Sequence, residues 1–398
     1  MTNLPQGWEV KKFEEIANIK GGKRLPKGEN LLDNNTKFTY IRVADFQDNG
    51  TINLQNIKFI NENTYNVLKN YKIYDDNLYI SIAGTIGKSG IIPKELNGAI
   101  LTENAVKLEY IQNNISNKFM YFFTLSNIFK TQIQTSTKIV AQPKLAITRL
   151  KQIQIPLPPL KEQERIVGIL DESFAKIDES IKILEQNLLN LDELMQSALQ
   201  KAFNPLKDNA KENYKLPQGW EWKSLEEISE NISAGGDKPK NCTESKTAKN
   251  QIPVYANGVN NNGLVGYTDK ATIIKPSLTI SARGTIGFVC IRKEPYFPIV
   301  RLISLIPCEN ILCLHYLYFC LNFFIAKGEG SSIPQLTIPK FKSLQIPLPP
   351  LKEQEQIAKH LDFVFEKTKA LKELYTKELK DYEELKQSLL NKAFKGEL

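Results

Sequence analysis

Ile155–Glu164 reads IPLPPLKEQE, and Ile346–Glu355 repeats it letter for letter. The prolines at 156, 158 and 159 fix φ and remove backbone donors, so this stretch is an extended connector and not a helix interior. A helical pattern follows. Leu170, Phe174, Ile177, Ile181, Leu184, Leu188, Leu191, Met195, Ala198 and Ala202 alternate steps of four and three, with Gly168 near the start and no proline before Pro205. That spacing predicts a heptad seam over about four heptads, stopping near Asn204-Pro205. Behind the second connector, Leu361, Val364, Thr368, Leu371, Tyr375, Tyr382, Leu385 and Leu389 mark a less regular stripe, broken at Glu378. Two long helices with one apolar stripe each most simply bury those stripes against each other, so one chain satisfies both seams without a second copy. The expected core of the pair is Leu170, Ile177, Ile181, Leu184, Leu188 and Leu191 against Leu361, Val364, Leu371, Leu385 and Leu389. Parallel and antiparallel pairing both remain open. About 40 residues at 1.5 Å each give a rod of roughly 60 Å.

Outward from the connectors, the rest of the chain is also doubled. LPQGW occurs at Leu4–Trp8 and Leu216–Trp220, SIAGTIG at Ser81–Gly87 against SARGTIG at Ser281–Gly287, and QSALQKAF at Gln196–Phe203 against QSLLNKAF at Gln387–Phe394. The order is the same in both halves, and the offset shrinks along the chain, so the first copy carries insertions in its variable part. A repeat this long is a duplicated module, not a solenoid. Each copy has a variable part, 1–153 or 216–345, whose short apolar runs such as NLYISIAGTIG are bounded by Asn-Gly turns; this predicts a mixed domain with several strands. Residues 154–204 and 346–398 are connector and helix, and 205–215 is a linker.

Composition bounds the function. The 398 residues carry 52 Lys and Arg against 44 Asp and Glu, a net charge of +8 that permits a polyanionic partner without requiring one. No run is long and apolar enough for a membrane span, and the N-terminus has no signal-peptide pattern, so a cytosolic protein is expected. The five cysteines lack metal-ligand spacing and read as reduced core thiols. GTIGKS at Gly84–Ser89 is too short between its glycines for a phosphate loop, and its second copy lacks the lysine. His315, expected in a core, and His360 have no partners suggesting acid–base or metal chemistry. No catalytic, cofactor or metal residue is expected.

A module held twice at fixed separation suits duplex DNA, whose own repeat rewards fixed spacing. Basic and amide side chains near the Gly-rich turns are the candidates for phosphate and base contacts: Lys23, Arg24, Arg42, Lys88, Lys138 and Lys144 in the first copy, and Lys238, Asn257, Arg283 and Lys340 in the second. The doubled order of LPQGW, GTIG, IPLPPLKEQE and long helix resembles the specificity subunits of type I restriction–modification systems over essentially the whole chain. The resemblance implies an α+β fold of two pseudo-symmetric mixed α/β recognition domains joined by two long antiparallel coiled-coil helices. It implies target recognition domains that each read one half of a bipartite, asymmetric site in double-stranded DNA. It further implies two methyltransferase subunits on the helices, bringing S-adenosylmethionine, with restriction/translocase subunits joining them and no chemistry in this chain. The alternative is a non-enzymatic coiled-coil scaffold linking two protein-binding domains.

Overall fold

A computed structural model describes residues 4–136, 144–203, 216–325, 328–329 and 336–398. Lys138 and the expected linker 205–215 lie outside the described residues. In the first copy, β1 (Glu9–Lys12), α1 (Phe13–Ile16) and β2 (Ala17–Gly21) lead to β3 (Thr39–Ile41), β4 (Lys58–Phe59), α2 (Glu62–Leu68) and β5 (Lys72–Ile73). Strands β6 (Leu78–Ser81), β7 (Ser89–Ile91), β8 (Ala99–Leu101) and β9 (Ala105–Tyr110) follow, then α3 (Asn117–Leu125), α4 (Asn127–Ser136), α5 (Ile147–Leu150), β10 (Gln154–Leu157) and the long α6 (Leu160–Phe203).

The second copy runs β11 (Glu221–Ser224), α7 (Leu225–Ile228), β12 (Ser229–Ala234), β13 (Ile252–Tyr255), β14 (Leu264–Thr268), β15 (Ser277–Ile280), β16 (Thr285–Ile286), β17 (Val289–Arg292), β18 (Phe297–Pro298) and β19 (Ile303–Pro307). It ends with α8 (Leu314–Phe324), β20 (Gly328–Glu329), α9 (Ile338–Lys342), β21 (Gln345–Leu348) and the long α10 (Leu351–Ala393).

The topology repeats with the sequence. One four-stranded sheet has the order β2-β9-β6-β7 and its counterpart β12-β19-β15-β17. A smaller sheet pairs β3 with β8 in parallel, and its counterpart pairs β13 with β18 in parallel. The strand after LPQGW pairs with the strand of the proline connector, Val10 opposite Pro156 and Trp222 opposite Pro347. Thus the motifs at the two ends of each copy meet and close it. The first copy is longer where α2 and β5 intervene and where α4 follows α3; among the described residues of the second copy these have no counterparts.

Strand β6 shows why the central runs are apolar throughout. Leu78 and Ile80 point to a core with Phe119 and Phe123 of α3, whereas Tyr79 points to a second cluster with Phe46 and Ile41. Alternate side chains reach opposite faces, and both faces are covered. The GTIG turns close the β6–β7 and β15–β17 hairpins. Gly84 and Gly87 have φ of 74° and 87°, and Gly284 and Gly287 of 71° and 80°, a region that favours glycine.

The compact units cut across the sequence copies: Met1–Leu184 with Lys377–Leu398 form unit 1, and Glu185–Thr376 form unit 2. In unit 1, Leu390, Ala393 and Phe394 from the end of α10 join the core of the first copy. The Phe394 ring centroid lies 5.1 Å from that of Phe119 and 5.3 Å from that of Phe123. In unit 2, Leu199 and Phe203 from the end of α6 join the core of the second copy, with Phe203 5.5 Å from Tyr316. The QSALQKAF and QSLLNKAF repeats therefore each complete the other copy's core.

Within each unit the long helices run antiparallel. In unit 1, Ile166 and Leu170 share a core with Leu390 and Phe394, while further along α6 Asp178 pairs with Lys386, further back on α10, at 2.6 Å. In unit 2, Asp192 pairs with Lys372, and Leu199 and Phe203 share a core with Leu361 and Ala358. Leu170, Ile177, Leu184 and Leu361 are buried, and Ile181, Leu188, Leu191, Val364 and Leu389 half-buried. Leu371 and Leu385 require correction: they are 38% and 45% exposed. The next residues, Lys372 and Lys386, turn inward instead. Their ammonium groups reach Asp192 and Asp178, and Lys386 also lies 5.8 Å from the Phe174 ring centroid. A stripe traced by apolarity steps aside to the neighbouring leucines.

The repeated KEQE acquires a structural role. Gln163 is buried; its Oε1 accepts from the Ser116 N–H at 2.9 Å, and its Nε2 donates to the carbonyls of Asn114 and Pro158. Gln354 does the same with Cys313 N–H, Ile311 and Pro349. Each glutamine thus fastens the start of a long helix to the loop before α3 or α8. Gln354→Leu strands three backbone groups, and we expect a cost of about 3 kcal/mol or more. Urea unfolding of the full chain checks this; a midpoint shift no larger than that of the exposed Glu355→Gln would refute it.

Candidate nucleic-acid interface

In unit 1, backbone hydrogen bonds gather the loops after β2, β6 and β8. Gly22 N–H donates to the Ala105 carbonyl at 3.0 Å, Lys23 N–H to Leu101 at 2.9 Å, Ile82 N–H to Asn104 at 2.8 Å and Leu145 N–H to Ile82 at 2.9 Å. A Cβ on Gly22 would stand 2.1 Å from the Thr102 carbonyl oxygen, so the close approach requires glycine. The result is one rim carrying Lys23, Arg24, Glu103, Asn104 and Lys144, beside the GTIG turn.

Unit 2 builds its rim on the same frame. Gly235 N–H donates to the Leu302 carbonyl at 2.8 Å, Val300 N–H to Gly236 at 2.8 Å and Arg301 N–H to Gly235 at 2.9 Å. Asn257 joins three loops: its Nδ2 donates to the Val300 carbonyl at 2.6 Å, and its Oδ1 accepts from Ala282 N–H at 2.8 Å. The backbone N–H of Gly258 also donates to Ser281 Oγ. Lys238, Arg283 and Arg301 are exposed on this rim.

The candidate cations differ in what holds them. Lys23 lies 5.9 Å from the Tyr71 ring centroid. Arg24 pairs with Glu103 at 2.7 Å, a hydrogen bond that holds its guanidinium pKa above the usual value. Arg42 is committed away from the rim, to Asp45 at 2.5 Å and to the Asn56 carbonyl at 3.0 Å. Lys88 pairs with Asp48 at 2.8 Å. Lys144, Lys238, Arg283 and Arg301 are exposed and have no ion-pair partner among the described residues. Lys340 is exposed on α9, outside these hydrogen-bonded rims. Asn257 spends its amide on the frame, and Arg301 stands with Lys238 and Arg283 as an exposed cation without an ion-pair partner among the described residues. Sequence alone offers Arg301 as one basic residue among several in the second copy, and the strand-register comparison of the two copies sets it apart.

Other chemistry is sparse. Among the described residues, no group of three or more His, Cys, Asp or Glu side chains is placed to hold a metal ion. His315, expected in a core, is half-exposed, and its Nδ1 lies 2.7 Å from Asp362 Oδ2 across α8 and α10. All five cysteines are free thiols, and burial pushes the Cys320 thiol pKa well up. No helix among the described residues is long and apolar enough to cross a membrane.

Two frames of one topology, each with a loop rim, now meet an independent observation. The sequence matches the family described as the type I restriction modification DNA specificity domain twice, over residues 5–189 and 217–381. The chain belongs to this family. Similar type I specificity proteins include a putative specificity subunit of Mycoplasma pneumoniae, 30% identical over 88% of this chain and 87% of the relative. A putative type I restriction enzyme specificity subunit of Methanocaldococcus jannaschii is 24% identical over 99% of this chain and 94% of the relative. Among solved structures, a chain from work on complex assembly and conformational transition of the type I R-M system superposes with a TM-score of 0.81, covering 100% of both chains at 20% identity. The HsdS subunit from Thermoanaerobacter tengcongensis gives 0.61 at 21% identity, over 100% of this chain and 98% of that one. At these identities the likeness speaks for the type I specificity fold.

Proposed function

We propose that this chain is the non-catalytic DNA reader of a type I restriction–modification assembly. Each rim contacts one half of a bipartite, asymmetric duplex site, and the paired helices set the spacer. The single observation that carries this reading is the repetition of one β-frame with different side chains on its rim: Lys23, Arg24 and Lys144 in unit 1, Lys238, Arg283 and Arg301 in unit 2. Equal frames with unequal rims suit two different half-sites. The long helices expose Ile183, Leu189, Leu194, Phe363 and Leu374, which supports docking of two methyltransferase subunits along them. Those partners would bring S-adenosylmethionine and methylate adenine, and restriction/translocase subunits would join the same assembly. This chain would take part from the cytosol.

The test is salt-dependent binding of the assembled complex to duplexes selected from a random pool. Each phosphate contact contributes about 0.9 to the slope of log K against log salt. Arg283→Gln is therefore expected to flatten the slope by about one while leaving the selected sequence in place. A wild-type assembly that enriches no sequence, or a salt slope unmoved by Arg283→Gln and Lys144→Gln together, would count against DNA reading by these rims.

A further inference from the structure

The two rims are superimposable by register. Ile41 opposes Leu101 and Tyr255 opposes Pro298 in the small sheets; Ile80 opposes Val106 and Ile280 opposes Ile303 in the large ones. The glycines that approach these turns match as well, Gly22 bonding to Ala105 and Gly235 to Leu302. Glu103-Asn104 and Val300-Arg301 therefore occupy the same place, the turn between the last strand of the small sheet and the next strand of the large one. Beside them the copies share the GTIG turn, in SIAGTIG and SARGTIG. At the turn itself the chemistry is unrelated, an acid and an amide against an aliphatic and a guanidinium.

Backbone geometry sets the turn of unit 2 apart. Val300 and Arg301 have φ of 55° and 59°, and they belong to the short list of non-glycine residues with positive φ among the described residues, with Asn261 and Asn262. A β-branched residue in that region is held at a cost of about 1–3 kcal/mol. It nevertheless stands 51% exposed, with no core to fill. The altered path also changes the wiring beneath. In unit 1 the Asn104 carbonyl receives the Ile82 N–H; in unit 2 the matching Ala282 N–H is received by the Asn257 side chain, which also ties down the Val300 carbonyl. Asn257 is thus a positioning residue for the turn. The acid in unit 1 is informative too. Glu103 already pairs with Arg24 at 2.7 Å; a carboxylate repels phosphate, and its remaining acceptor capacity suits an amino group on a base edge, such as cytosine N4.

We propose that this turn is the specificity-determining element of each unit, with Glu103 and Asn104 reading base edges in one half-site and Val300 and Arg301 in the other. The assignment rests on the DNA-reading function proposed above. The Arg301 guanidinium is a bidentate donor of the kind that pairs with guanine N7 and O6, and Val300 offers methyl groups to a thymine methyl.

The experiment uses the full chain assembled with its methyltransferase partners, a randomised duplex pool, and sequencing of the bound fraction. Arg301→Gln is expected to lose ten- to hundred-fold discrimination at one base pair of one half-site. Val300→Gly relieves the backbone strain, so its thermal midpoint should hold or rise while discrimination at a neighbouring base pair falls; a merely structural role predicts the reverse. Glu103→Gln should alter only the other half-site. If all three variants select the wild-type motif, or if each disturbs both half-sites together with a lowered midpoint, the proposal is overturned. A wild-type complex that selects no motif removes the DNA-reading function itself, which separates the two failures.

Discussion

Phe394→Ala should loosen the first sequence copy, although Phe394 belongs to the second. Its ring is 1% exposed and stands among Phe119, Phe123 and Leu390. Replacing a buried phenylalanine by alanine removes its transfer energy and leaves a cavity, together about 3–5 kcal/mol. For a unit of this size that corresponds to roughly 10 °C in the unfolding midpoint. Phe203→Ala should act in mirror fashion on the second copy, where Phe203 is fully buried against Tyr316. Hydrogen exchange read by mass spectrometry distinguishes the two. Phe394→Ala should lower protection in β9 and α3, and Phe203→Ala in β19 and α8. If each variant instead loosened the copy to which its own residue belongs, the exchange of helix ends between sequence copies would be wrong. A bland outcome, with both midpoints moving by less than about 3 °C, would mean that these ends fray without consequence.

This exchange shows where sequence reading succeeds and where it stops. The proline connector and the heptad spacing of α6 are local patterns, and local patterns survive in one dimension. The repeat also gave the duplicated frame, because equal motifs in equal order require equal topology. Three things exist only in the folded chain. The partner of QSALQKAF lies in a distant stretch of chain, and nothing in its own letters names the core that receives it. The α10 seam contains Lys372 and Lys386, which no search for apolar residues selects, since only the positions of Asp192 and Asp178 explain why lysine is tolerated there. Among the candidate cations, Arg42 looks equal to Arg283 in sequence, and only geometry shows the first satisfied by Asp45 and the second free among the described residues. Gln163 and Gln354 were visible as repeated letters, but a glutamine that satisfies three backbone groups looks like any surface glutamine until its neighbours are placed.

If the helix pair sets the spacer, its length should be readable in DNA. Four residues inserted after Leu184 in α6 and four after Thr376 in α10 lengthen each helix by about 6 Å, near two base steps of 3.4 Å each. Four residues disturb a heptad pattern by about half a residue, a stutter that coiled coils absorb by local unwinding. Because the helices run antiparallel, insertions in both preserve the pairs flanking them, Asp178 with Lys386 on one side and Asp192 with Lys372 on the other. An insertion in α6 alone shifts one of these pairs by more than a turn and places Ile177 or Leu188 against the wrong neighbours. We therefore expect the paired insertion to fold with a midpoint near that of the native chain and to select a spacer about two base pairs longer. The single insertion should lose several kcal/mol and select poorly at any spacing. The discriminating measurement is the distance between half-sites in duplexes selected by the assembled complex. If the paired insertion kept the native spacer at native affinity, something other than the length of α6 and α10 would be fixing the distance, and the helices would serve only as a dock for partners.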